Sequence, residues 1–65
     1  MDVASRIRFY RGTRRLSQRQ LALRLDMAPS QLSRYETGLV EPTLSVLTRI
    51  AEALKVPVSD FLMGR

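Results

Sequence analysis

Apolar residues recur every three or four positions through most of this chain, a spacing that predicts α-helices and no β-strands. Val3, Ile7 and Tyr10 form the first such series and predict a helix over about residues 2 to 14. Phe9 falls between these positions and is expected on the surface. The start of the chain is therefore predicted to be an amphipathic helix with one face against a core.

The second helix is predicted from a capping box. The Ser17 hydroxyl can accept a hydrogen bond from the Gln20 N–H, while the Gln20 side chain reaches back to the Ser17 N–H. The helix should end near Asp26, because aspartate tolerates the left-handed conformation of a helix end. Its predicted buried face comprises Leu21, Ala22 and Leu25.

A third helix is predicted to begin at Pro29, where the missing N–H of proline costs nothing. Ala28 would be its N-cap, at a cost of roughly 1 kcal/mol against serine or threonine. Leu32 and Tyr35 form its narrow inner face, and Gly38 fits a left-handed cap after its end. Most of the remaining side chains of this helix are polar.

Two more helices complete the predicted fold. Thr43 can cap a fourth helix, and residues 58 to 63 are enough for a short fifth one, with Phe61 and Leu62 closing the core. The apolar stripe of the fourth helix comprises Leu44, Leu47, Ile50, Ala51 and Leu54. We expect an all-α, compact bundle of five short helices in a single domain over residues 1–65.

Composition narrows the possible functions. The 65 residues include no cysteine and no histidine, so thiolate metal sites and the commonest general base are missing. We predict no enzyme, no metal and no cofactor. The longest apolar runs are far shorter than the roughly 18 residues of a membrane span, and no apolar signal segment opens the chain. A cytoplasmic protein without a membrane partner is the expectation.

Charge is unevenly distributed along the chain. Residues 1 to 34 contain eight arginines against two aspartates, whereas residues 35 to 65 contain three basic and four acidic residues. Such a one-sided basic surface on a small domain favours a polyanionic partner, although it can also serve solubility. In the second half, Arg49 and Lys55 are expected to be ordinary surface residues.

The second and third helices are separated by only about residues 26 to 28, which suits a crossing at a large angle, as in a helix-turn-helix. A helix that lies in the DNA major groove needs only a narrow apolar stripe to hold it to the domain. Its other faces must offer hydrogen-bond donors and acceptors to base edges and phosphates. Residues 29 to 37 show this pattern, since most of them are polar.

Residues 16 to 54 resemble the lambda repressor and Cro (XRE-type) family of helix-turn-helix regulators. The family's typical run is Ser/Thr-Gln, Leu-Ala, Ser-x-Tyr/Trp-Glu-x-Gly, Pro-Ser/Thr and Ile-Ala-x-Ala-Leu. This chain matches it in five blocks: Ser17-Gln18, Leu21-Ala22, "SRYETG" at 33–38, Pro42-Thr43 and "IAEAL" at 50–54. The resemblance implies a transcriptional regulator that binds double-stranded DNA, with the third helix in the major groove.

The resemblance also implies roles for individual residues. Alternatives remain for three of them: Arg34 could contact only phosphate, Ser30 could bond only within the start of its helix, and Gln18 could merely cap the second helix. Arg11 and Glu36 match an ion pair of the family. The implied base contacts are Pro29, Ser30, Ser33 and Arg34. Gln18 and Thr37 are the implied phosphate contacts. Further phosphate contacts could come from the basic residues beside the start of the second helix, Arg14, Arg15 and Arg19.

Three positions depart from the family pattern. Arg15 and Asp26 stand at helix ends where the family often has glycine, so each backbone must be strained there or built differently. Ala28 replaces the usual serine or threonine before the third helix. These departures bear on how Pro29 and Ser30 meet the bases.

One recognition helix contacts few base pairs, so we expect a homodimer on a near-palindromic operator with half-sites about 34 Å apart. The interface is expected near Val58, Phe61 and Met63, unless Phe61 completes the core instead. An antitoxin that binds a toxin and its own operator is an alternative function. A basic amphipathic helix at a membrane, from "SRIRFYRGTRRL", is a weaker one.

Overall fold

The computed structural model describes residues 2–62, which form five α-helices and contain no strand. The all-α prediction is confirmed. The helices are α1 (Val3–Thr13), α2 (Gln18–Arg24), α3 (Pro29–Glu36), α4 (Leu44–Leu54) and α5 (Ser59–Leu62).

Side chains close the N-termini of the first, second and fourth helices. Ser17 Oγ accepts from the Gln20 N–H at 3.0 Å, and Gln20 Oε1 accepts from the Ser17 N–H at 2.7 Å, so the predicted capping box is present. Thr43 caps α4 as predicted. Asp2 caps α1 through the Ser5 N–H, and this hydrogen bond lowers the pKa of the Asp2 carboxyl below its usual value. Ala28 gives α3 no side-chain cap, also as predicted.

Left-handed residues other than glycine end three helices: Arg15, Asp26 and Lys55 have φ of 56°, 55° and 61°. After α2, the N–H of the residue following Asp26 bonds to the Ala22 carbonyl at 3.0 Å, and the Asp26 N–H bonds to the Leu23 carbonyl at 3.1 Å. This pair of bonds defines a Schellman motif, and the same pattern surrounds Arg15 and Lys55. The helix ends therefore have the backbone geometry that glycine would give. For a residue with a side chain, this left-handed backbone costs roughly 1–2 kcal/mol.

The core joins all five helices. Tyr10 lies at its edge, where its ring packs edge-to-face with Phe61 at 5.5 Å between centroids and its hydroxyl donates to Asp60 at 3.2 Å. Phe9 is exposed, as expected. The buried cluster comprises Ile7, Leu21, Ala22, Leu25, Leu32, Tyr35, Leu47, Ile50, Ala51, Leu54 and Phe61.

Two residues predicted in the core lie outside it. Leu44 is 63% exposed, because it is the first residue of α4 and the buried stripe begins one turn later, at Leu47. Leu62 is 51% exposed, since consecutive helical residues point about 100° apart and Phe61 occupies the inward position of α5.

The predicted interface near the fifth helix is wrong for Phe61. Its side chain is 1% exposed and is used within its own core, so it offers no surface to a second chain. Val58 is half-buried and also packs against the core. Met63 lies outside the described residues.

Arg49 is not the ordinary surface residue that was predicted. Its guanidinium donates to the carbonyl of Leu25 at the end of α2. A cation at a helix C-terminus satisfies a free carbonyl and interacts favourably with the helix dipole. Arg49 thereby fixes α4 to the end of α2.

Candidate nucleic-acid interface

Helices α2 and α3 form a unit in which one face of α3 is held inward and the other is left open. Leu32 and Tyr35 are 0% and 8% exposed, which confirms the predicted inner face. Gln31 Nε2 donates to the Tyr35 hydroxyl at 2.9 Å, so the polar end of this buried ring also has a partner. The apolar part of the attachment of α3 thus comprises only Leu32 and Tyr35 among the residues of this helix.

The outer side of α3 consists of polar or small groups that the structure leaves accessible. Ser30 and Arg34 are exposed one helical turn apart, and Ser33 is half-buried beside them. Pro29 and Thr37 are exposed at the two ends of α3. All the residues that the resemblance assigns to base contacts therefore lie along one short helix, with hydroxyl and guanidinium groups available to a ligand.

Glu36 is the buried charge that connects the first three helices. Its side chain is 2% exposed, and Arg11 binds it with both ends of the guanidinium, through Nε at 2.7 Å and Nη2 at 3.1 Å. This is the ion pair that the resemblance implies. Gln18 Nε2 adds a third bond to Oε1 at 3.1 Å. One carboxylate thereby holds a residue of α1 and a residue of α2 against α3.

Two further contacts of these arginines complete the junction. Arg11 Nη1 donates to the Leu16 carbonyl at 3.0 Å, which fixes the turn between α1 and α2. Arg8 donates to the backbone carbonyl of Glu36 at the end of α3. The sequence did not predict this contact of Arg8, whose only signal was a place one turn before Arg11 on the same helix.

The predicted phosphate contacts fall into two groups. Arg15 and Arg19 are exposed on either side of the start of α2, and Gln18 is half-buried because its amide contacts Glu36. Arg14 is different: its Nε donates to the Leu54 carbonyl at 2.7 Å and its Nη2 to the Lys55 carbonyl at 3.2 Å. Two of the five N–H donors of Arg14 thus bond to the C-terminus of α4.

A groove of about 410 Å³ adjoins the start of α3. Leu23 beside it is 81% exposed, although leucine is usually buried. The sequence signal was an apolar residue outside the predicted buried face of α2. The groove is lined by Arg19, Gln20, Ala22, Leu23, Met27 and Pro29.

Residues 2–62 include no group of three acidic, cysteine or histidine side chains arranged to hold a metal ion. Within the same range, every helix is too short or too polar to cross a membrane.

A bundle in which a four-residue turn joins α2 to an outward-facing α3 is a helix-turn-helix protein. The family model described as "Helix-turn-helix" matches residues 7–61. The chain belongs to this family of DNA-binding transcriptional regulators.

One solved structure with the same fold is that of SinR, the master regulator for biofilm formation, in complex with DNA. It superimposes with a TM-score of 0.85 at 31% sequence identity, over 92% of this chain and 97% of that chain. The predicted lambda-repressor-like fold is confirmed by this likeness.

Curated relatives include two uncharacterized HTH-type transcriptional regulators of Mycobacterium tuberculosis, Rv0474 and MT0491. Each is 46% identical to this chain over 50 residues, which is 77% of this chain and 36% of the relative. The match thus spans little more than a third of each of these relatives.

Proposed function

We propose that this protein binds double-stranded DNA sequence-specifically as a transcriptional regulator, with α3 in the major groove. The observation that carries the proposal is the division of α3 into a buried stripe of Leu32 and Tyr35 and an exposed polar side with Ser30 and Arg34. A recognition helix needs both sides at once. SinR, whose fold is the same, has been crystallised with DNA.

Base contacts are assigned to the exposed side of α3. Arg34 offers the planar guanidinium that pairs with the O6 and N7 edge of guanine, and Ser30 offers a hydroxyl one turn earlier. Pro29 lies at the helix start, where it can contact a thymine methyl. Ser33 lies between Ser30 and Arg34 along the helix. These four residues define the base-contact set of the proposal.

Phosphate contacts are assigned to the ends of the two helices. Gln18 is the first residue of α2, where free backbone N–H groups and the positive end of the dipole favour an anion. Arg15 and Arg19 add exposed charge on either side of it, and Thr37 adds a hydroxyl after α3. We leave Arg14 out of this set because its guanidinium lies at the C-terminus of α4, against the Leu54 and Lys55 carbonyls.

The proposal includes a homodimer on a near-palindromic operator in the cytoplasm. Since Phe61 is buried, a second copy needs another apolar surface, and Leu39 and Leu44 offer one at 77% and 63% exposure. Leu39 lies in the loop that follows α3, and Leu44 is the first residue of α4. Sedimentation with and without a palindromic duplex should show dimer formation, which Leu44→Glu should weaken and Leu62→Glu should not.

The central test is selection of binding sites from a pool of random duplexes, followed by titration at modest ionic strength. We expect enrichment of a short motif that tends to occur as two inverted copies one helical turn apart. A pool without enrichment, together with no saturable binding of any duplex, would overturn the proposal.

A further inference from the structure

Three basic side chains surround a cleft of about 290 Å³ that receives no residue from α3. Arg14 follows α1, Arg24 lies in the last turn of α2 and Lys55 follows α4, so the ends of three helices meet here. Leu16 and Ala53 complete the lining. The cleft contains no carboxylate among its lining residues.

The helix ends account for part of this charge. Each helix C-terminus carries roughly half a negative charge, and a nearby cation stabilises it. Arg14 does this directly through its bonds to the Leu54 and Lys55 carbonyls. Three full positive charges nevertheless exceed about three half charges, so the cleft keeps an excess of positive charge.

This excess has no partner within the part of the chain that the structure describes. Arg24 and Lys55 have no ion pair within 4.0 Å in residues 2–62, and neither side chain has a hydrogen bond there. Positive charges that face the same cleft repel each other. A bound anion with two or more negative charges attracts each of them and offsets that repulsion. Guanidinium and ammonium groups together are a usual donor set for phosphate.

We propose that this cleft binds a small phosphorylated molecule, with its phosphate between Arg24, Lys55 and the remaining donors of Arg14. Leu16 and Ala53 provide an apolar wall for the carbon part of a phosphate ester. The volume lies just below the roughly 300–1,000 Å³ typical of ligand pockets, which favours a mono- or diphosphate ester over a larger ligand. The site is separate from the proposed base contacts on α3.

Inorganic pyrophosphate is the probe, and isothermal titration calorimetry of the chain is the measurement. The site variant carries Arg24→Gln and Lys55→Asn, since asparagine tolerates the left-handed backbone at that position. The matched control carries Arg19→Gln and Arg34→Gln, which remove the same charge from exposed positions elsewhere. Circular dichroism and thermal unfolding check that both variants fold.

We expect saturable pyrophosphate binding that weakens at least tenfold in the site variant and less than twofold in the control. Equal weakening in the two variants would show a response to net charge alone and would overturn the proposal, as would no saturable heat with the unaltered chain.

A second arm distinguishes a free phosphate from the DNA backbone. The unaltered chain and the site variant are titrated with duplex DNA over a range of salt concentrations. The loss of two contacts to DNA phosphates would lower the slope of log affinity against log salt by about 1.8 in the site variant. If that change occurs and pyrophosphate gives no saturable binding, the cleft binds the DNA backbone and the proposal fails. Pyrophosphate binding with an unchanged salt slope supports it.

Discussion

Gln18, the first residue of α2, donates from Nε2 to Oε1 of Glu36, the last residue of α3, at 3.1 Å. A primary amide carries two N–H donors, and this bond uses one of them. Within residues 2–62 the other donor and the amide oxygen have no partner, and both are held at the start of α2. The buried carboxylate thus orients the residue that we propose as a phosphate contact.

Gln18→Ala should weaken duplex binding about tenfold without changing the selected sequence, because a phosphate contact carries no base information. Fluorescence anisotropy with cognate and random duplexes measures this. Gln20→Ala is the control: it removes half of the capping box and lowers stability, and duplex affinity should stay unchanged once the protein is folded. A change in the preferred sequence with Gln18→Ala would contradict the role assigned to it.

Glu36→Gln should destabilise the fold by about 3 kcal/mol, because it leaves the Arg11 guanidinium partly buried without its counter-charge. This value is at the low end for a buried pair, since Arg11 is 22% exposed. Urea unfolding gives the free energy. The double variant Arg11→Met with Glu36→Met should be less destabilised than the sum of its single changes. Strict additivity would show that the pair contributes no coupling.

Arg34→Ala should cost about 1–3 kcal/mol on the selected site and relax the preference at one base position. Arg34→Lys is the matched variant: it keeps the charge and loses the planar pair of donors, so the preference should relax while the salt slope stays the same. Selection from random duplexes with both variants measures these effects. An equal loss on every duplex would make Arg34 a phosphate contact.

Arg15→Gly should change stability and DNA affinity in opposite directions. Glycine removes the cost of a side chain at φ 56°, and after its own loss of backbone entropy the gain is about 0.5–1 kcal/mol. For a domain of this size that raises the Tm by roughly 2–8 °C. At the same time the log–log salt slope of duplex binding should fall by about 0.9.

Asp26→Gly provides the comparison for Arg15→Gly. It relieves the same backbone strain at φ 55° but removes a negative charge. Its gain in Tm should be smaller, because aspartate tolerates the left-handed region better than arginine does. Duplex affinity should not fall. A loss of affinity in both variants would point to a changed position of the helices.

Local patterns predicted the helix boundaries well because caps and turns depend on residues close in sequence. Ser17 and Gln20 define the start of α2 within four residues, and Gly38 with φ 80° marks the end of α3. The left-handed conformation at Asp26 was predicted from its place at the end of α2. For Arg15 the sequence left two alternatives open, a strained backbone or a different helix end, and the structure has the left-handed backbone.

Contacts between distant residues were beyond local patterns. Arg14 bonds to Leu54 across 40 residues, and Arg49 bonds to Leu25 across 24. A long cationic side chain can bond to any carbonyl that lies within its length. Which carbonyl that is depends on how the helices pack. Likewise, the apolar periodicity of a helix does not show how far the neighbouring helices extend along it. Leu44 was wrongly predicted as buried for this reason.

The junction at Glu36 has a consequence for motion. Since one carboxylate bonds to residues of α1 and α2, and Arg8 bonds to the Glu36 carbonyl, the end of α3 cannot detach without breaking contacts to both other helices. We therefore expect the end of α3 to open together with its contacts to α1 and α2, and we expect its amides to be well protected from hydrogen exchange. In the proposed complex, DNA would meet a preformed helix, and little ordering entropy would be lost on docking.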